Sequence, residues 1–234
     1  DGDFNWVDGV QQTGVSRQVN ASVSGGTEKT QFFINFSKEN SEGFIIGNAL
    51  KRTSARVNLS HQATDWLKTG INTGFIANVL AIETLDINDY TTDRITGNVF
   101  VEAEFAENLT FRSDFGVDRV YLDEIERSFE INSPGGFGSN VVSQQHKWLS
   151  TNTLNYKNRF NDVHSLNVLA GIAYEKSETR FVAASGTGFA SDALLNVSSA
   201  STPGTTSSSG SNNALYSIFS RASYDPMEQQ VMIV

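Results

Sequence analysis

Apolar and polar residues alternate with a period of two along most of this chain. In residues 51–60, Thr53, Ala55, Val57 and Leu59 point one way, and Arg52, Ser54, Arg56, Asn58 and Ser60 point the other. The pattern returns in residues 67–79, where Leu67, Ile71, Phe75 and Val79 oppose Lys68, Asn72 and Asn78. It recurs around Ile95, Val99, Val101 and Phe105, around Leu109, Phe111, Phe115 and Val117, and around Leu166, Val168, Ile172 and Tyr174. Less regular strands are predicted over 17–24, 29–38, 147–156 and 214–224. The sum is an all-β chain, an antiparallel up-and-down meander of about nine strands.

The predicted strands run to ~9–11 residues, the length of a tilted membrane strand, where soluble strands average ~5–6. Charges lie well inside the polar face, as at Arg112 with Asp114 and at Glu102 with Glu104. One face therefore meets something apolar and the other meets water. Alternation alone leaves a soluble sandwich open as well.

The connections separate the two. Tight turns are predicted at 25–28, 61–65, 106–108 and 157–162. Longer polar connections are predicted at 39–49, 81–94, 121–146 and 177–213, and Ser/Thr/Gly-rich 198–213 reads as a mobile loop. Short turns at one end and long loops at the other are the layout of an outer-membrane β-barrel. Phe32, Phe36, Trp66, Phe105, Tyr156, Tyr174 and Tyr224 lie near strand ends, where a barrel carries its interfacial girdles.

Composition narrows the function. The net charge is −9 over 234 residues, and Lys and Arg form no stripe, so nucleic-acid binding is not expected. There is no Cys, which removes disulfides and thiolate metal sites. No apolar run approaches the ~18 residues of a membrane helix. The chain does not start with Met and shows no charged-then-apolar leader, so the expectation is a processed chain or an internal piece.

Six segments in order resemble the SusC/RagA family of TonB-dependent outer-membrane transporters. They are NASVSGGTEKT at 20–30, EGFIIG at 42–47 followed by KRTSARVNL at 51–59, DWLKTG at 65–70, ENLTFRSDFG at 107–116, HSLNVLAG at 164–171, and ASGTGF at 184–189 with the later Phe219-Ser-Arg221. The resemblance implies a 22-stranded barrel closed by an N-terminal plug and paired with a SusD-like surface lipoprotein. It also implies import of oligosaccharides or peptides, powered by the TonB complex. On that reading residues 1–234 are one partial barrel domain with no plug, no TonB-contacting box and an incomplete barrel. The missing N-terminal part would contact TonB. Residues 226–234 depart from the family pattern, and the loop after Val79 is shorter than usual.

No enzymatic activity, cofactor or metal is expected. His61, His146 and His164 lie far apart in sequence, so three solvated histidines are a better reading than a shared metal site. Residues 86–93 carry oxygen ligands at alternate positions, but the Gly and Glu of a calcium loop are missing, so an acidic external loop is expected. Residues 134–138 are glycine-rich without a helix start to supply a phosphate site, and read as a flexible loop tip. Glu102 and Glu104 share a strand face, but catalytic carboxylate pairs usually come from different strands. Arg52, Arg56, Lys68, Arg112, Asp114 and Asp118 are expected to line the lumen or touch the plug. The competing readings are a secreted β-sandwich that binds glycans and a surface adhesin.

Overall fold

The structure, a computed structural model, describes residues 6–83, 86–161 and 164–226. A short helix, α1 (Trp6–Val10), precedes β1 (Ser16–Gly26), β2 (Thr30–Glu42), β3 (Asn48–Thr64), β4 (Leu67–Glu83), β5 (Asp86–Ala106), β6 (Leu109–Ser128), β7 (Phe137–Phe160), β8 (His164–Phe189) and β9 (Ala200–Pro226). A single 3-10 turn (Val197–Ser199) lies before β9. The strands form one nine-stranded antiparallel sheet in sequence order, as the alternation predicts. Among the described residues there is no second sheet to pack on it.

The turn end follows the prediction closely. Thr27 closes the β1–β2 turn: its Oγ1 accepts from the backbone N–H groups of Lys29 and Thr30 at 3.3 and 3.2 Å. Asn108 sits at φ 69° in the β5–β6 turn and Asn161 at φ 51° after β7, a conformation Asn tolerates better than most residues. Bulges at Gln62/Thr64 and Glu104/Ala106 mark the ends of two of these hairpins. Asp162, the last residue of the fourth predicted turn, lies outside the described residues.

The loop end differs from expectation. Strands β3–β9 run from 17 to 27 residues rather than ~9–11. The predicted connections shrink to 43–47, 129–136 and 190–199. The expected loop 81–94 is instead strand up to Glu83 and again from Asp86, with residues 84–85 outside the described set. The supposed mobile loop 198–213 is mostly the first half of β9, paired with β8 from Phe189↔Ala200 onward. These outer halves mix polar residues with scattered apolar ones on both faces, such as Val141 and Val142 or Phe181 and Val182, so no regular alternation betrays them. Each is held by the ladder of its neighbour, because an antiparallel hairpin satisfies backbone groups whatever its side chains. Pro203 is accommodated opposite Gly186, beside the Ala184/Gly186 bulge. The altered ending at residues 227–234 lies outside the described residues.

Burial is correspondingly slight. Among the described residues only Phe100, Ala103 and Phe189 are buried apolar side chains. Val99, Val101, Phe115 and Ile172 are more than two-fifths exposed, at 43–46%. A soluble sandwich of this length would hide such residues between its layers. The β-sandwich alternative is therefore not favoured: among the described residues the sheet is a single layer.

Candidate functional site

Register sorts every strand into two faces. One face carries an apolar band: Ile34 opposes Val57, Ile71 opposes Val99, Val99 opposes Phe115, and Ile172 opposes Ile218. On β6 the band runs from Leu109 to Val117, about 27 Å of strand, or about 20 Å of height at the ~40° tilt of membrane strands, close to the ~25 Å apolar band of a membrane barrel. Aromatic side chains edge it. Phe32, Tyr156 and Tyr224 stand toward the short turns, while Trp148, Tyr174 and Tyr216 stand toward the loops. Trp148 packs on Tyr174 at 4.9 Å and on Phe115 at 6.2 Å. Trp148 and Tyr216 extend the girdle set expected from sequence.

The opposite face is polar, and it gathers most of the predicted residues. Gly70 opposes Phe100, and the Phe100 ring occupies the space over the glycine: a Cβ there would lie 2.5 Å from the ring. The Arg112 guanidinium stacks 4.2 Å above Phe100. It donates through Nε and Nη2 to both Asp114 oxygens at 2.7 and 2.9 Å, and through Nη1 to Glu102 at 3.0 Å. The sequence paired the right residues here but missed the aromatic platform, whose signal was a Phe at a polar position facing a Gly. Glu102 is thus tied to Arg112 across the β5–β6 ladder.

Asp118 accepts both Arg94 donors, Nε at 2.9 Å and Nη2 at 2.6 Å. Arg94 falls at the end of the predicted loop 81–94, so the alternation does not place it on this face. Arg52 donates to Asn78 at 2.8 Å and stands 3.9 Å from Glu39. Lys68 faces Glu102 across the β4–β5 ladder. Lys147 and Glu175 add a further pair at 2.8 Å. Arg56 makes no ion pair among the described residues. With Phe33, Asn35, Gly74, Arg94 and Thr96 it lines an open cleft of about 650 Å³ on this face. One row lower, Asn58, Asn72 and Asn98 stand side by side across β3, β4 and β5.

The remaining candidates do not converge. His61 bonds Thr30 at 2.8 Å, His164 bonds the Tyr224 hydroxyl at 2.6 Å, and His146 lies exposed elsewhere. No group of His, Asp and Glu among the described residues has metal-site geometry. Residues 86–93 belong to β5, which sends Asp86 and Asn88 to one face and Asp89 and Asp93 to the other, so the expected acidic loop is absent.

The loop rim holds a residue the sequence did not flag. Arg127 is fully buried. Its Nε donates to the Leu194 carbonyl at 3.1 Å and its Nη1 to the carbonyls of Phe137, at 3.2 Å, and Ser128. Asp192 lies 3.7 Å away. The backbone N–H groups of Gly188 and Phe189 donate to the Gly135 carbonyl at 2.8 and 2.9 Å. The glycine-rich stretch 134–138 is thus packed around a buried cation and is not a free tip. At Gly136 (φ 66°) a Cβ would meet the guanidinium at 2.7 Å.

No protein-family model matches the chain. A TonB-dependent receptor, P39, from Formosa agariphila is 22% identical over 263 aligned positions, covering 93% of this chain and 25% of the relative. Structures of the RagAB peptide importer superpose with a TM-score of 0.83 at 19–20% identity, covering 96–97% of this chain and 32% of theirs. The ferric-catecholate import receptor Fiu of E. coli superposes at 0.60 and 11% identity over 90% of this chain. The chain thus spans about a quarter of the curated relative and a third of the RagAB chains. Its fold is that of a stretch of TonB-dependent transporter barrel wall.

Proposed function

We propose that residues 1–234 form one continuous part of the wall of an outer-membrane, SusC/RagA-like transporter, which takes up oligosaccharides or peptides. The carrying observation is the single-layer sheet with an exposed apolar band on one face and ion-paired polar residues on the other. Such a sheet needs hydrocarbon on one side and water or protein on the other. The other strands and the plug belong to the full-length polypeptide, which also contacts the TonB complex. A SusD-like lipoprotein captures substrate at the loop rim. The likeness to the RagAB peptide importer supports a peptide cargo and such a partner. No chemistry is performed on the substrate. The wall positions the plug and supports the outer loops.

The test is uptake. Bacteria lacking the full-length gene should lose growth on a defined oligosaccharide or oligopeptide as sole source, and regain it with the intact gene. An affinity-tagged full-length protein should retain a surface lipoprotein through detergent purification. Normal growth on every oligosaccharide and oligopeptide supplied, with no retained lipoprotein, would overturn the proposal.

A further inference from the structure

Just beyond the apolar band, on the lipid-facing side and toward the loops, three rows of side chains cross β6–β9. The lowest runs Val117, Trp148, Lys176 and Ala214. Above it are Arg119, His146, Glu178 and Asn212, and above those Tyr121, Gln144, Arg180 and Gly210. Tyr174 and Tyr216 lie beneath, facing each other across β8 and β9.

Lys176 and Glu178 form an ion pair and satisfy one another. Arg119 and Arg180 are exposed and make no ion pair among the described residues. Two other carboxylates stand near on this face: Asp93, facing Tyr121 across β5–β6, and Asp123, one row above Tyr121 on β6, which accepts from Asn140 at 3.3 Å. Gly210 has no side chain opposite Arg180, and an open cleft of about 440 Å³ lies there, lined by Gln144, His146, Glu178, Arg180 and Asn212.

We infer that Arg119 and Arg180, with His146 between them, bind the phosphorylated headgroup of an anionic outer-leaflet glycolipid whose acyl chains lie on the band below. Two arguments select this occupant. Unpaired guanidinium groups favour phosphate oxygens, with which they make charge-assisted, bidentate hydrogen bonds. The rows of Arg119 and Arg180 also stand directly above those of Trp148 and Tyr174 on the same face, so one amphiphile covers both. A soluble anion would gain nothing from the aromatic and apolar rows. The inference rests on the barrel-wall reading, because it requires this face to meet lipid.

The test uses full-length protein in phosphatidylcholine nanodiscs doped with bisphosphorylated lipid A or its dephosphorylated form, with bound lipid counted by native mass spectrometry. Wild type should retain the phosphorylated form preferentially. The R119Q/R180Q double variant should retain it about tenfold less, the scale of losing charge-assisted hydrogen bonds. R56Q, on the opposite face, should bind like wild type. Equal retention of both lipids by wild type would overturn the inference, and this arm does not depend on the double variant folding. Unchanged retention by R119Q/R180Q would overturn it too. So would loss of a co-purifying protein from that variant with lipid retention intact, which would assign the patch to a protein partner. Failure of the barrel reading itself shows separately, as tolerance of charge within the apolar band.

Discussion

The Arg127 guanidinium lies 3.7 Å above the centre of the Phe189 ring, with Phe129 on a further side at 5.5 Å. This one cation ties the β6–β7 connection (129–136) to the β8–β9 connection (190–199). It reaches the Leu194 carbonyl in one and approaches Asp192, while Asp192 accepts from the Glu130 backbone N–H at 3.2 Å in the other. Replacing Arg127 leaves three carbonyls without their donor and a void between two rings. We expect Arg127→Ala to cost about 3–5 kcal/mol, because buried carbonyls lose their donor and the space beside Phe189 empties. Arg127→Lys should not rescue it, because an ammonium cannot spread donors over carbonyls on both sides. Hydrogen exchange in full-length protein should show faster exchange confined to 129–136 and 190–199. Unchanged exchange there would refute the coupling of these loops.

Gly70 is a second fixed point. Its missing Cβ lets Phe100 lie flat, and Phe100 carries Arg112. Gly70→Ala should cost about 1–3 kcal/mol through overpacking. Gly97→Ala should be far milder, since the nearest atom to its Cβ would be 3.4 Å away. Urea unfolding of the two variants in lipid vesicles checks the difference. Equal midpoints would show that Phe100 moves aside freely.

Asp89 gives a pH dependence. Burial raises its carboxyl above the ordinary value, and neighbouring Glu83 adds to the shift. The folded protein therefore holds this proton more tightly than the unfolded chain. The resulting stability is fully present below the unfolded value of about 3.9 and is lost as pH rises through the raised native value. Asp89→Asn should accordingly unfold at higher urea than wild type at pH 7. The two proteins should converge below pH ~3.9. A variant less stable at pH 7 would contradict the sign.

Among the described residues β1 and β9 pair on one side only. Their free edges, together with the exposed apolar band, predict that residues 1–234 expressed alone will aggregate unless detergent is present. A sharp monomeric peak in plain buffer on size-exclusion chromatography would count against the wall reading.

The meander, its short-turn end and the two faces were legible because alternation there reports a real difference of medium. Thr53, Val57 and Leu59 against Arg52, Arg56 and Asn58 is such a stretch. The outer halves of the hairpins were not legible. Around Asp89, Gln144 and Ser208 polar residues stand on both faces, so no period of two shows, and polar strand looks like polar loop. The ion pairs of the polar face were half visible: Arg112 and Asp114 sit two residues apart on one strand, whereas Arg94 meets Asp118 only through the register of β5 on β6. Arg127 could not be seen at all. Its distant partners, Leu194 and Asp192, lie more than sixty residues away, in a connection whose length the sequence misjudged.

The central claim is that Val101 and Phe115 face hydrocarbon. The most direct measurement is the folding free energy of the full-length protein in lipid vesicles for Val101→Arg, Phe115→Arg and Asp114→Asn. The first two should lose about 2–4 kcal/mol each, the cost of a cation near the bilayer midplane. Asp114→Asn, which weakens a half-exposed ion pair on the wet face, should lose about 1 kcal/mol or less. Equal tolerance of all three substitutions would contradict the account.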